Sequence, residues 1–355
     1  MLRPTQIAIP TLVRVKEGAV DRLGIYLDRG GHRRVVVLVS QGLPAPLTER
    51  LSRSLREQGI EAAAWNEVAD NSLEASVRLF AALPGRVSAI VGVGGGKALD
   101  VAKHAGFLAR LPYYAVPTSL SNDGFCGPQA SLTVAGRRRS VAAALPFGVV
   151  IDTAVCLAAP RILTLSGVGD LVAKLTAVRD WRLAFHNTGE LVDDFAALLS
   201  DGSIYAFLGH PRVDLDGIRL LATSLMLNGI AMEICGSSRP ASGSEHLISH
   251  ALDAHSAHPR LHGLQVGVAS YIVSRLQGAN SEAIAGLFDA TGFWDVVAQE
   301  PFCRAEWLEA VRVAPSIKEG FFTVLSTRDV LAEVEQIIDH DPRLARCFAA
   351  KAAAA

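Results

Sequence analysis

Val87-Ser88-Ala89-Ile90-Val91-Gly92-Val93-Gly94-Gly95-Gly96-Lys97 decides how the chain is organised. Its first seven residues are apolar or small and rich in β-branched side chains, which predicts a strand buried on both faces. The strand runs into three glycines, and Leu99 to Ala109 continues as a helical pattern. Glycines at a strand-to-helix turn let backbone N–H groups approach a pyrophosphate, and the helix N-terminus behind them favours negative charge. The spacing matches neither of the two common phosphate-loop patterns, so a tight turn without a ligand is the competing reading.

Outward from this stretch, strand and helix signals alternate. Arg34 to Ser40 is a continuous β-branched run, Pro46 to Gln58 is amphipathic and helical, and Ala62 to Val68 reads as a second strand. Leu73 to Leu83 is the next helix and Tyr113 to Val116 a short strand ending at Pro117. This βαβα rhythm predicts a parallel, Rossmann-like sheet covered by helices on both faces. Thr118-Ser119-Leu120-Ser121-Asn122-Asp123-Gly124 then stands where loops at the carboxyl edge of such a sheet meet ligands, although its composition also suits an ordinary turn. Ser131 to Val134 and Ser140 to Ala144 read as a hairpin with Arg137-Arg138-Arg139 as its solvated tip, and Gly148 to Asp152 as a last strand. Asp100 and Lys103 read as helix-surface or capping groups.

Beyond residue 155 the strand signals fade. Helices are expected at 191–199, 203–208, 216–235, 264–276, 281–289, 293–299, 305–313 and 328–338, giving an α/β domain over 1–155 followed by an all-α domain over 156–355. In Ser166-Gly167-Val168-Gly169-Asp170, the aspartate reads either as the N-cap of a helix from Leu171 to Ala184 or as a metal ligand. Ser242-Gly243-Ser244-Glu245-His246-Leu247-Ile248-Ser249-His250 opens another helix, with Ser242 and Ser244 as candidate N-caps. His246 and His250 lie one turn apart on one face. His258-Pro259 ends that helix, and His262 stands beside Gly263 before the next apolar run. Neutral imidazoles of His246 and His262 facing one cavity suit a metal, but two do not complete a site, and a third donor has to come from elsewhere.

The totals narrow the classes. The chain has 355 residues, 50% hydrophobic and 19% charged, with a formal net charge of −1. That balance carries no electrostatic signature of nucleic-acid or membrane binding. The 5 cysteines (126, 156, 235, 303, 347) are scattered without a CxxC pair, as in reduced cytoplasmic proteins. Met1 to Pro10 lacks the apolar core of a signal peptide, and Ala349 to Ala355 reads as a frayed tail. Val141 to Ala159 is interrupted by Pro146 and Asp152, and Ile218 to Cys235 carries Arg219, Asn228 and Glu233, so neither is expected to span a membrane.

Taken together, Gly92 to Asp100, Val116 to Gly124, Gly167 to Asp170, Thr176 to Ala184, the Ser-Gly-Ser-Glu-His-x-x-x-His run at 242–250 and His262-Gly263 resemble the iron-containing alcohol dehydrogenase and dehydroquinate synthase superfamily. Within it the likeness is greatest to the sn-glycerol-1-phosphate dehydrogenases. The resemblance implies a dehydroquinate synthase-like fold, with the active site in a cleft between the two domains and a divalent metal (zinc, iron or nickel) on Asp170, His246 and His262. It also implies NAD or NADP contacts at Gly94, Gly95, Gly96, Lys97 and Ala98 and at Thr118, Ser119, Leu120 and Ser121. Asp123 and His250 correspond to substrate-contacting residues, and a homodimer or higher homo-oligomer is the family pattern. Where archaeal members usually carry a cofactor-contacting serine, this chain has Gly127. The reaction implied is reduction of a phosphorylated three-carbon ketone at a metal-polarised carbonyl. A dehydroquinate synthase-like lyase, a polyol or phosphonate dehydrogenase and a non-catalytic binding protein are the alternatives. Asp170 in a Gly-Val-Gly-Asp setting favours the dehydrogenase over the lyase. Arg239 and Lys174 are candidate partners for a substrate phosphate.

Overall fold

The computed structural model describes residues 7–349. The readings of most of Met1 to Pro10 and of the alanine-rich end fall outside that range. The chain forms two compact units that part between Thr164 and Leu165.

The first unit contains β1 (Leu12–Lys16), α1 (Leu23–Arg29), β2 (Arg34–Ser40), α2 (Ala45–Glu57), β3 (Glu61–Val68), α3 (Leu73–Ala81) and β4 (Ala89–Gly94). After these come α4 (Gly96–Ala109), β5 (Tyr113–Pro117), β6 (Gln129–Val134), β7 (Arg137–Ala142), β8 (Gly148–Asp152) and α5 (Thr153–Leu157). Six parallel strands lie in the order β1-β8-β5-β4-β2-β3. Alternation along β2 assigns its two faces. Val35, Val37 and Val39 pack with Leu23, Leu51 and Leu55 of α1 and α2. Val36 and Leu38 pack with Ala98, Val101 and Ala105 of α4. After β2 the chain adds β3 on one side and then β4 on the other, so the strand order reverses at the β2–β4 junction. Crevices at such junctions are where open α/β sheets take ligands.

Three sequence expectations change here. β1 was not anticipated; it pairs with β8, from Leu12 opposite Gly148 to Lys16 opposite Asp152, so its partner lies far along the chain. The β6–β7 turn is Ala135-Gly136, with φ of 50° and 74°, the left-handed pair of a tight hairpin. The three arginines therefore lie in β7 rather than at the tip, although they remain exposed. Asp100 and Lys103 are buried, not on the helix surface. The Lys103 ammonium bonds the carbonyls of Gly124 and Gln129 at 2.5 and 2.7 Å, which ties α4 to the turn holding Asp123.

The second unit is mostly helical: α6 (Arg161–Val172, which crosses the division), α7 (Lys174–Thr188), α8 (Asp194–Leu208), α9 (Leu215–Cys235), α10 (Ser244–His255) and α11 (His262–Leu276). It continues with α12 (Ser281–Thr291), α13 (Phe293–Gln299), α14 (Arg304–Ile317), α15 (Leu331–His340) and α16 (Pro342–Ala345). It is not wholly α, because β9 (Phe302–Cys303) pairs in parallel with β10 (Phe348–Ala349). The two helices expected at 191–199 and 203–208 are the single helix α8, with Gly202 inside it. α9 is long and apolar enough to cross a membrane by length and composition alone. Ile218, Leu221, Ala222 and Leu225 of α9 are nonetheless buried in the unit, as in a core helix.

Candidate functional site

Asp170 lies in the last turn of α6, not at a helix start as an N-cap would. The glycines before it serve packing instead of flexibility. A Cβ on Gly169 would stand 1.9 Å from the Gly263 carbonyl oxygen, and one on Gly263 would stand 1.8 Å from the Ser166 carbonyl oxygen. A Cβ on Gly267 would meet the Gly169 Cα at 2.9 Å. α6 and α11 thus touch backbone to backbone, which carries Asp170 up against His262, the first residue of α11. His246 arrives from the first turn of α10, whose N-cap is Gly243 instead of a serine. The Ser244 N–H donates to Asp180 Oδ2 at 2.7 Å, seating that helix end on α7.

One donor atom from each of Asp170, His246 and His262 falls within 4.8 Å of the other two. Nε2 of His246 lies 3.4 Å from Asp170 Oδ1, and Nε2 of His262 lies 3.9 Å from it. Metal–ligand bonds of about 2.0–2.1 Å at tetrahedral angles set donor atoms roughly 3.3 Å apart. The spacing is therefore closer to that of ligands around an ion than to a direct hydrogen bond of about 2.9 Å. The other ring nitrogens are also engaged. Nδ1 of His246 is 2.9 Å from Glu245 Oε1, and Nδ1 of His262 is 3.1 Å from Ser249 Oγ. When Nδ1–H donates to such a partner, the Nε2 lone pair is turned toward the cluster, as in ligating histidines. Glu245 is itself held by the Thr176 hydroxyl at 2.8 Å. A donor set of two imidazoles and one carboxylate, each oriented from behind, fits a divalent metal with an open position.

The electrostatics favour positive charge at the cluster, and an ion bound there takes the place of the His246 proton. Burial pushes the Asp170 carboxyl upward, but Lys174, His246 and His262 outweigh it and hold the group well below the usual carboxylate range. Burial opposes charge on His246, yet Asp170 and Glu245 raise it to about 9. His250 is exposed, with its ring centroid 6.3 Å from that of His246 and 5.9 Å from that of His262. The structure thus brings His250 to the rim of the cluster without adding it to the donor set.

In the first unit, Gly94 closes β4 at φ 136°, a conformation that only glycine takes easily, and a Cβ there would strike Ser40 Oγ at 2.0 Å. Ser40, at the end of β2, accepts the Gly95 N–H at 3.0 Å, fixing the loop at the strand-order reversal. Gly95 caps α4 without any side-chain bond, and a Cβ on Gly96 would meet nothing within 4 Å. Lys97 is exposed beside it, and Ala98 is buried. The neighbouring loop lies alongside. The Thr118 N–H donates to the Gly94 carbonyl at 3.0 Å, Ser119 and Leu120 are buried, and Ser121 is partly exposed. Asp123 opens a short 3₁₀ turn that Gly127 ends with a φ of −87°. An uncapped helix N-terminus beside open glycine fits a pyrophosphate.

Arg239 and Lys174 have their charges engaged within the second unit. Arg239 is 1% exposed, pairs with Glu190 through two nitrogens and lies 3.6 Å over the Phe321 ring. Lys174 donates to the Ala241 carbonyl at 3.2 Å and faces Asp170.

A family model described as iron-containing alcohol dehydrogenase matches residues 14–160. The NAD(P)+ glycerol-1-phosphate dehydrogenase of Cenarchaeum symbiosum is 34% identical over 322 residues, spanning 89% of this chain and 90% of that protein. The enzyme of the same name from Thermofilum pendens is 39% identical over 282 residues, 78% of this chain and 81% of that protein. The chain belongs to the glycerol-1-phosphate dehydrogenase family. The fold of this family member also matches glycerol dehydrogenase from Schizosaccharomyces pombe, with a TM-score of 0.73 at 17% identity over 97% of this chain and 92% of that one.

Two residues beneath this family member's cluster were not singled out from sequence. Glu245 adjoins His246, and neighbours along a helix do not ordinarily face each other, so its role as the partner of Nδ1 had no spacing signal. Asp180 lies within an ordinary helical run, yet it accepts the N–H groups of Ser244 and Val324 and the Gln277 amide, at 2.7 to 2.9 Å. Burial and then the Glu245 charge push its carboxyl up to about 6. Asp180→Ala leaves three buried donors without an acceptor and is expected to cost about 3–5 kcal/mol in denaturant unfolding. Asp180→Asn keeps one acceptor and should cost roughly half as much. An alanine variant within about 1 kcal/mol of the parent sinks this assignment.

Proposed function

We propose that the protein is a metal-dependent, NAD(P)-linked oxidoreductase that reduces dihydroxyacetone phosphate, or a close phosphorylated ketone, to sn-glycerol 1-phosphate. The observation that carries this reading is the Asp170–His246–His262 cluster at ligand spacing, with Asp170 and His246 buried and His262 partly so, in a chain with glycerol-1-phosphate dehydrogenase relatives over most of its length. When bound, a divalent metal polarises the ketone oxygen and a nicotinamide supplies the hydride. Zinc suits two imidazoles and a carboxylate, with iron or nickel as the other candidates.

Each residue has a task in this reading. Asp170, His246 and His262 hold the ion, and Glu245 and Ser249 keep the two imidazoles turned toward it. His250 holds a proton at its ring and delivers it to the alcohol oxygen as hydride arrives. Gly94 to Ala98 take the pyrophosphate at the start of α4, and Thr118, Ser119, Leu120 and Ser121 line the cofactor beside it. Asp123 takes a substrate hydroxyl, in a turn braced by Lys103. The first unit thus serves as the dinucleotide-binding domain and the second as the metal and substrate domain. β2 ends in Ser40 without an acid to hold a ribose 2′-hydroxyl, which leaves NADP a candidate beside NAD. Five thiols, none in a disulfide, accord with a reducing cytoplasmic setting.

The test is oxidation of NADH and NADPH by metal-analysed protein with dihydroxyacetone phosphate, with and without chelator. Chelator-sensitive turnover to the sn-1 product is the expected result. Bound metal and nucleotide without turnover on this ketone overturns the substrate and leaves the site. His250→Ala is expected to keep its full metal content while losing about 10²–10³-fold in rate, the usual worth of a positioned proton donor. Parent kinetics in that variant would reduce His250 to a bystander.

A further inference from the structure

Lys174 is a cation buried where another cation is to bind. It opens α7 four residues after Asp170, and its Nζ lies 4.0 Å from Asp170 Oδ1, with the two side chains 0% and 1% exposed. Ala173, between the two helices, keeps helical angles, with φ −54° and ψ −24°, so a contact at helical spacing carries across the junction of α6 and α7. The Ala241 carbonyl accepts from the ammonium at 3.2 Å. Against the cost of burial, the Lys174 charge is the largest influence keeping the Asp170 carboxyl ionised, ahead of both histidines. Its field also reaches the His246 ring.

A brace for the Ala241 carbonyl needs only a donor, and a neutral amide would serve. A full charge does more. The groups touching the cluster are two carboxylates, Asp170 and Glu245, against one ammonium, a net charge of minus one when the imidazoles are neutral. A divalent ion turns that to plus one. With an uncharged residue in place of Lys174, the same ion would be neutralised by the two carboxylates. A pocket left one charge positive stabilises negative charge, and negative charge is what develops on a ketone oxygen as hydride arrives. The cost falls on affinity, because two cations drawn to one carboxylate repel each other strongly away from water.

We propose, on the metal-site reading given above, that Lys174 acts through Asp170 to keep the loaded site one charge positive, so that a divalent ion binds less tightly than its three donors alone would hold it and polarises the ketone more strongly.

The experiment is zinc titration of the metal-stripped full chain against a chromophoric chelator, comparing the parent with Lys174→Gln and Lys174→Met, followed by steady-state rates at saturating zinc. Both variants lack the charge; glutamine keeps an N–H donor on the side chain and methionine does not. Both are expected to hold zinc about 10–100-fold more tightly, the usual size of effect for a group behind a ligand but in the opposite direction. Both should also lose about tenfold in kcat. The direction decides, because removing a residue that only braced the site would weaken metal binding. Zinc affinity in Lys174→Gln equal to the parent's or lower overturns the proposal, and that variant decides alone if Lys174→Met fails to fold. Tighter zinc at the parent's kcat overturns the polarising role. A parent that binds zinc without reducing dihydroxyacetone phosphate overturns only the substrate, and the zinc affinities still decide. A parent that takes up no zinc overturns the metal site and this role of Lys174 together.

Discussion

Asp170→Ala purifies folded, without metal, and with turnover lowered by about 10³-fold or more. The size follows from the roughly several kcal/mol that a Lewis acid contributes to charge developing on the carbonyl oxygen, at about 1.4 kcal/mol per decade. The carboxylate is also the one negative donor in the cluster. Without it, His246 feels the Lys174 charge with only Glu245 behind its ring, and His262 has only the Ser249 hydroxyl, a poor environment for a cation. His262→Ala should behave alike, because two donors remain in either case. The measurement is metal per chain by elemental analysis beside the steady-state rate. A variant with the parent's metal content would remove Asp170 from the ligand set, whatever its rate.

Gly263→Ala is expected to be nearly as damaging, although the added methyl group touches no substrate. Its Cβ would lie 1.8 Å from the Ser166 carbonyl oxygen, and backbone cannot swing aside as a flexible side chain can. α6 and α11 must separate by an ångström or so, which carries Asp170 away from His262. Overpacking of this kind costs about 1–3 kcal/mol in stability. A displacement of that order in a reacting geometry costs on the order of 10²-fold in rate. Gly96→Ala, placed in open space, should leave stability and metal content unchanged. If Gly263→Ala keeps both its metal and its rate, the close approach of the helices is not what sets the donor spacing.

These two variants also mark what could be read in the chain beforehand. The parallel sheet was legible because strands buried on both faces read as unbroken β-branched runs, and Arg34 to Ser40 and Ala89 to Val93 are such runs. The glycine loop was legible from its place between a strand and a helix. His246 and His262 stood out by their chemistry. The purpose of Gly169 and Gly263 was not legible, because a glycine that allows two helices to touch looks the same as one that ends a helix. Only the partner backbone distinguishes the two, and it comes from residues 97 positions away along the chain in the case of Ser166 and Gly263. Asp170 was for that reason placed at a helix start when it belongs to a helix's last turn. β1 was missed for a related reason: five residues carry little pattern of their own, and the partner strand that defines them begins at Gly148. Lys103 was read as a surface group because a buried ammonium is costly, and the carbonyls that offset the cost come from a distant turn and strand.

The contact between α6 and α11 has one more consequence. All three donors sit in one unit, yet they are far apart in sequence, at 170, 246 and 262. An ion held by them is a cross-link that closes long loops of chain, as a disulfide does, and it constrains the unfolded ensemble that would otherwise compete with the native state. An ion that binds only the native arrangement adds about 2.7 kcal/mol when its free concentration is a hundredfold above its dissociation constant. The ion would thus act as a fastener of the second unit as well as a reagent. Chelation would loosen the helices on which the chemistry depends and leave the glycine loop of the first unit in place.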